Sequence, residues 1–399
     1  MELLSPAGSF EKLKYAVYYG ADAVYTAGEQ FGLRAKSINL SQKELKQAVE
    51  FCHQNNVKLY IAVNIFAHNT DIAILPKYLK FLQEISVDAI IISDPAIFSL
   101  AQNYAPLIPI HISTQANVTS WKSAEFWFKL GAKRIILARE LSINEVKKIK
   151  TEIPEIELEM FVHGAMCMSY SGRCLLSSFL NSRDANRGNC SQPCRWQYNL
   201  IEESRPGEYF PIEEDSKGTY ILNSKDLCLF DKLLEIIHTG INSIKIEGRM
   251  KSLYYVANVT RTYKTAITDL KNRKKPSYNL KKELDKVSHR VYTEGFFENF
   301  DSSFSQHYES SSYIRNYQFI GKILQQKGKT IHIEVKAKFS LNDELEIIFP
   351  EIEKDIKFKV RNIRKEDDES LNFTKPNTIV KIDLEQKIPL HGIIRKKLI

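Results

Sequence analysis

The chain has 399 residues, 43% of them hydrophobic and 26% charged, with 16 Gly, 13 Pro and 6 Cys. That is the composition of a folded globular protein, which excludes collagen-like, disordered and disulfide-scaffold classes. No apolar run approaches the ~20 residues of a membrane span, and the opening Met-Glu-Leu-Leu-Ser-Pro lacks the basic and apolar regions of a secretory signal.

From the start to about residue 250, short apolar runs alternate with amphipathic stretches. The runs are 2–4, 23–26, 58–64, 89–93, 110–113, 134–138, 157–162 and 243–246. Most are rich in Ile, Val, Leu and Tyr with little polar alternation, as strands buried on both faces should be. Helical stretches such as 42–53 and 120–130 lie between them, and several close on glycine (Gly20, Gly131, Gly240) just before the next strand. Eight such repeats predict an α/β fold, a (β/α)8 TIM-like barrel over 1–255. A doubly wound open sheet is the alternative, but the glycine-rich phosphate turn that often accompanies it is missing. After the seventh run comes an insertion, about 164–222, far longer than a crossover needs. Because it follows a strand, it belongs at the C-terminal face, where barrel enzymes keep their chemistry. Residues 256–317 read as a helical, basic connection. From 318 to 399, turn-bounded segments at 330–336, 344–349, 356–360 and 378–382 predict a small antiparallel β-domain.

The formal charge is +8, and its placement is uneven. Residues 261–290 carry ten Lys or Arg against three Asp or Glu, whereas 321–399 are nearly balanced at seventeen against thirteen. At the centre of the basic stretch, Lys271, Arg273, Lys274 and Lys275 are either a solvated helix face or a contact for a polyanion. Tyr292, Phe296 and Phe297 follow, and either pack in a core or stack on a base.

The insertion holds four of the six cysteines: Cys167, Cys174, Cys190 and Cys194. A cytoplasmic, reducing compartment is expected, so these are not read as disulfides. Ser, Gly, Asn, Arg and Gln surround them, unlike the apolar company of core cysteines. Soft thiolates suit zinc or an iron–sulfur cluster. Zinc knuckles usually separate their thiols by two residues, and neither pair here does, so spacing supports a four-thiolate site and leans towards iron. Cys52 and Cys228 sit in amphipathic helical stretches and read as core.

The insertion motifs also carry a resemblance. Val162-His163-Gly164-Ala165-Met166-Cys167 and Gly172-Arg173-Cys174 lie in the stretch 159–177, which continues through 181–196. Further motifs are Asn223-Ser224-Lys225-Asp226-Leu227 and Lys245-Ile246-Glu247-Gly248-Arg249-Met250-Lys251, with Leu4-Ser5-Pro6-Ala7-Gly8 and Ser113-Thr114-Gln115-Ala116-Asn117. Together they resemble the collagenase-like peptidases, family thirty-two of unknown catalytic type, across essentially the whole chain. Within that family the chain is most similar to the branch that hydroxylates tRNA. The resemblance implies a barrel with a small C-terminal β-domain and the making of 5-hydroxyuridine at the tRNA wobble position. It also implies a 4Fe-4S cluster on Cys167, Cys174, Cys190 and Cys194, and a prephenate-type donor of the hydroxyl group. A collagenase-like peptidase, or a zinc-stabilised RNA-binding protein without turnover, are the alternatives. The sequence holds neither a His-Glu-x-x-His motif nor a Gly-x-Ser-x-Gly elbow. A cysteine nucleophile paired with His163 fits four clustered thiols less well than shared ligation does.

A donor bearing two carboxylates calls for planar guanidinium forks. Arg139 and Arg249 end predicted barrel strands, and Arg34 and Arg183 are further candidates; each could equally serve in a structural ion pair. His163 ends the seventh strand as a proton carrier or a loop cap. Lys245 and Glu247 alternate with Ile244 and Ile246, so they share a face, at the barrel mouth or as a buried pair. His111 reads as a satisfied core histidine, and Asn223, Lys225 and Asp226 as residues at a helix start.

Overall fold

The computed structural model describes residues 1–32, 39–166, 174, 176–181, 183, 191, 193, 214–215, 218–219, 225–298 and 313–398. Arg34, Cys167, Cys190, Cys194 and Asn223 lie outside the described residues. The chain divides into two compact units, Met1–Val17 with Ala21–Lys251 and Arg290–Tyr313, and Tyr18–Gly20 with Ser252–His289 and Ile314–Ile399.

In the first unit, β1 (Glu2–Pro6), β2 (Ala23–Thr26), β3 (Lys58–Ala62), β4 (Ala89–Ile92), β5 (Ile110–Ile112), β6 (Arg134–Ile136) and β7 (Glu157–Ala165) pair in parallel, each with the next. After β7 come a short hairpin, β8 (Glu214–Asp215) with β9 (Gly218–Thr219), then β10 (Asp226–Cys228) and β11 (Ser243–Ile246). Ser243 of β11 is paired with Glu2 on one side and Glu159 on the other, which closes eight parallel strands into the expected barrel. Every residue of β2, β4 and β11 is buried; these strands are covered on both faces, hence their unbroken apolar runs.

Local signals set the helices between the strands. Ser41 with Glu44 and Ser142 with Glu145 form reciprocal capping boxes at the starts of helices Gln42–Gln54 and Ile143–Glu152, worth about 1 kcal/mol per cap. After the helices Phe10–Tyr18, Trp121–Lys129 and Leu233–His238, Gly20, Gly131 and Gly240 take φ of 98°, 103° and 75°, a left-handed stop that other side chains resist.

β7 is longer than its neighbours. Its last residues pair antiparallel with β10, Gly164 opposite Leu227 and His163 opposite Cys228, and β12 (Tyr292–Thr293) adds to β10. Asp226 and Cys228 are therefore strand residues rather than a helix cap and a helical core position. A three-residue strand has no period of its own to read; its partner, some sixty residues earlier in the chain, defines it.

The second unit joins the long helix Leu253–Lys271 and the short helix Tyr278–Lys282 to a six-stranded antiparallel sheet. Its strands are β13 (Tyr317–Lys327), β14 (Thr330–Val335), β15 (Glu344–Ile348), β16 (Ile356–Lys359), β17 (Ile379–Asp383) and β18 (Ile393–Lys397), in spatial order β16-β15-β18-β13-β14-β17. Ile320, Ile333, Ile347, Phe349, Val380 and Ile394 lie at its core. Two fully buried arginines tie helix to sheet. Arg261 grips Asp355 at 2.7 and 3.0 Å and Glu283 at 2.7 Å, while Arg395 of β18 binds Glu283 and Glu346 at 2.8 Å each. No helix among the described residues is long and apolar enough to cross a membrane.

Candidate functional site

The barrel interior carries charge, of which the sequence reading held open only a buried Lys245–Glu247 pair. Arg134 of β6 reaches Glu2 at 2.6 Å, Glu157 at 2.7 Å and Glu159 at 2.9 Å. Glu159, with no exposed surface, also binds Lys245 Nζ at 3.1 Å. Lys245 further sits over the Tyr25 ring, 4.3 Å from its centroid. Burial pulls the Lys245 ammonium below its usual range, and Glu159 opposes that pull. Lys245 is thus a buried ion-pair member whose partner is Glu159 rather than Glu247. His111 is buried edge-on to Tyr60, the centroids 4.8 Å apart. Burial, reinforced by Arg134 and Lys245, holds its imidazole well below the ordinary value and so keeps it neutral.

Glu247 shares a face with Lys245 but lies two residues further along the chain, about 7 Å nearer the C-terminal mouth. Its N–H donates to the His163 carbonyl at 2.9 Å, joining the ends of β7 and β11. Its Oε2 accepts from the Tyr25 hydroxyl at 3.2 Å. Such close approach requires glycine beside it: Gly164 has φ of +107°, and a Cβ there would meet the Glu247 carbonyl at 2.5 Å. His163 is buried, with its ring centroid 5.4 Å from that of Tyr292. Arg139 donates from Nη1 to the Ala165 carbonyl at 2.7 Å and lies over the Phe161 ring at 4.1 Å. Its Nε is enclosed with no hydrogen-bond partner among the described residues. Arg249, buried, donates to Asn39 Oδ1 at 3.1 Å. Arg139, His163, Glu247 and Arg249 thereby gather at the ends of β6, β7 and β11.

Two more polar groups stand at strand ends: Asp226, read from the sequence as a residue at a helix start, and Gln115, noted there only within a motif. Asp226, buried opposite Ala165, accepts from the Arg290 N–H at 3.2 Å and lies 3.9 Å from Lys251 Nζ. After β5, the turn at Thr114–Ala116 presents Gln115 Oε1 to Asn64 Nδ2 at 2.7 Å. Both belong to motifs quoted above, Asn223-Ser224-Lys225-Asp226 and Ser113-Thr114-Gln115, which is the signal the sequence offered for Gln115.

Of the four clustered cysteines, Cys174 falls among the described residues and is half-buried. Ser191, next to Cys190, donates its N–H to Ser177 Oγ at 2.9 Å and accepts from Asn181 Nδ2 at 2.9 Å. These bonds hold the chain flanking Cys190 against the helix Leu176–Asn181 that follows Cys174. A shared four-thiolate centre would need those two segments together, and thiolates are by their chemistry fitting donors for iron–sulfur; Cys167, Cys190 and Cys194 themselves lie outside the described residues. Arg183 donates its N–H to the Ser177 carbonyl at 3.1 Å. In the second unit, Lys271, Arg273, Lys274 and Lys275 are all exposed. Phe297 is a core residue at 2% exposure, and Tyr292 and Phe296 are half-buried. Packing accounts for Phe297, which is closed to stacking on a base.

The model of peptidase family U32 matches residues 8–306, and that of the family's C-terminal domain matches 315–395. The chain belongs to peptidase family U32. It is 38% identical to tRNA hydroxylation protein P of Escherichia coli K12, over 88% of this chain and 86% of that protein. It is likewise 38% identical to tRNA hydroxylation protein P1 of Bacillus subtilis 168, over 99% and 94%. The 23S rRNA 5-hydroxycytidine C2501 synthase of E. coli K12 is 35% identical over 66% of this chain, which corresponds to 39% of that longer protein. The family name denotes peptidases, and a family name does not establish a reaction.

Proposed function

We propose that this U32 protein is an RNA hydroxylase, and more finely that it makes 5-hydroxyuridine at the wobble position of tRNA. The observation that carries the reading is the near full-length match at 38% identity to proteins named for tRNA hydroxylation. Hydroxylating a pyrimidine ring is beyond side chains alone. A 4Fe-4S cluster on Cys167, Cys174, Cys190 and Cys194 would supply the redox chemistry. The chain's own residues bind and orient. Arg139, steadied by Phe161 and the Ala165 carbonyl, offers its guanidinium to a carboxylate of a prephenate-type donor. Arg249 offers a second guanidinium two residues beyond Glu247. Glu247 and His163, joined through the backbone, are placed to hold or move a proton at the mouth. Lys245 acts from beneath, as part of the ion pairs that fix β7 and β11.

Anaerobically purified protein should carry about four irons and four acid-labile sulfides per chain, lost in Cys167→Ala and Cys174→Ala, and cells lacking the protein should lack hydroxylated uridine in tRNA. One zinc without sulfide would favour an RNA-binding protein without turnover. Protein cleavage that persists with the cysteines replaced would favour the peptidase.

A further inference from the structure

We propose that the turn after the long helix of the second unit is an RNA-docking surface, where Lys271, Arg273, Lys274 and Lys275 take backbone phosphates and Tyr278 stacks on an unpaired base. The proposal deepens the RNA reading above and rests on it for the identity of the polyanion.

Three observations converge on this turn. Not one of the four cations, which lie within five residues of one another, makes an ion pair among the described residues, whereas several lysines and arginines of the same unit are matched to carboxylates, such as Arg261, Lys286, Lys322 and Arg395. The ten cations of 261–290 therefore divide: Arg261 and Arg290 are buried, and the unmatched positive charge concentrates on the turn. Cations in a last helical turn are favoured by the helix dipole, but that covers Lys271 and leaves those beyond the helix end unexplained.

The second observation is Tyr278, which is 71% exposed and has Lys282 Nζ 4.5 Å from its ring centroid. An exposed aromatic ring set among cations is the arrangement that single-stranded RNA recognition uses, phosphates on the charges and a base on the ring. Thirdly, the helix ends in a Schellman motif. Arg273 N–H bonds the Leu270 carbonyl at 3.0 Å and Lys274 N–H the Asp269 carbonyl at 2.8 Å, with Arg273 at φ of +57°. That left-handed position normally belongs to glycine. Arginine is there against local preference, and its side chain is exposed.

The last point supplies a clean test. Arg273→Gly removes a charge while suiting the backbone, so its Tm should not fall. The full chain would be titrated with a hairpin RNA bearing an unpaired loop, and with a blunt RNA duplex, over a range of salt. Wild type should prefer the hairpin. Arg273→Gly should weaken binding several-fold, and Lys271→Gln/Lys274→Gln/Lys275→Gln should lower the salt slope by about 2, at about 0.7 per phosphate lost on a single strand. Tyr278→Ala should lose about tenfold on the hairpin and little on the duplex, with Tyr278→Phe restoring it. Wild-type affinity in all these variants would overturn the surface while leaving hydroxylation intact. Loop-dependent binding by a protein that forms no hydroxylated nucleoside would sustain the surface and sink the enzymatic reading. A wild-type chain that binds neither RNA overturns both.

Discussion

Replacing Glu159 with Gln should destabilise the barrel in a pH-dependent way. Glu159 is fully buried between Arg134 at 2.9 Å and Lys245 at 3.1 Å. Arg134 would keep Glu2 at 2.6 Å and Glu157 at 2.7 Å; Lys245 would lose the one short ion pair it makes among the described residues. At an effective dielectric of about 20, two charges 3.1 Å apart attract by about 5 kcal/mol. Breaking a buried pair by removing one member costs about 3–5 kcal/mol, because the other charge stays enclosed. Burial already pulls the folded-state Lys245 below its ordinary 10.5, and the substitution pulls it further. A lysine depressed in the folded state penalises folding at pH below its folded value, and the penalty fades as pH rises towards 10.5, where the unfolded chain also releases its proton. The deficit of Glu159→Gln should therefore be largest near neutrality and smaller at pH 9.5. Trp121, Trp127 and Trp196 all precede residue 252, so urea unfolding followed by tryptophan fluorescence reads the first unit. Adding Lys245→Met should restore most of the loss, since no charge is then orphaned. A loss below about 1 kcal/mol at pH 7, or a double variant no more stable than the single one, would refute the reasoning.

Three other outcomes follow from the same geometry. Gly164→Ala places a Cβ 2.5 Å from the Glu247 carbonyl at φ of +107°; it should cost at least about 2 kcal/mol, a Tm drop of about 4–8 °C, and impair nucleoside formation, whereas an unchanged melt would contradict the close approach. In the second unit, burial resists ionisation of Glu283, but Arg395 and Arg261 outweigh it and hold the carboxyl at about 2. That stability, about 3 kcal/mol, is fully present above the ordinary 4.5 and lost as pH falls towards 2; Glu283→Gln should flatten the acid limb of a stability–pH curve, and an unaltered limb would count against the network. Arg139→Lys keeps the charge but loses the planar fork that can hold the Ala165 carbonyl, lie flat over Phe161 and grip a carboxylate bidentately. It should raise the KM for a dicarboxylate donor about tenfold in a folded protein, and an unchanged KM would remove Arg139 from the donor site.

The barrel was legible because its strands are buried on both faces, and solvent-free strands write themselves as apolar runs. The runs at 23–26 and 243–246 coincide with β2 and β11, and Gly20, Gly131 and Gly240 announced the left-handed stops before new strands. β13 was less legible because register shifts near Ile323 and Phe319 break its alternation. β10 escaped because three residues carry no period, so Asp226 was read as a residue before a helix and Cys228 as a helical core position. The charged core escaped for a different reason. Lys245 beside Glu247 left a buried pair open, but nothing local says that Arg134, Glu159 and Lys245 meet inside a closed sheet.

What the sequence determined by itself is what depends on neighbours along the chain: strand and helix periods, capping boxes, the turn glycines and the four thiols on one insertion. Tertiary structure decided which charges pair, because closing the barrel through β11 brings Lys245 to Glu159 across 86 residues of chain. It also decided which aromatic ring faces water. Phe297 and Tyr278 are alike in composition terms, but one is packed at 2% exposure and the other stands out at 71%. Burial and Coulomb attraction depend on distance in space, and that distance is set only when the chain closes on itself.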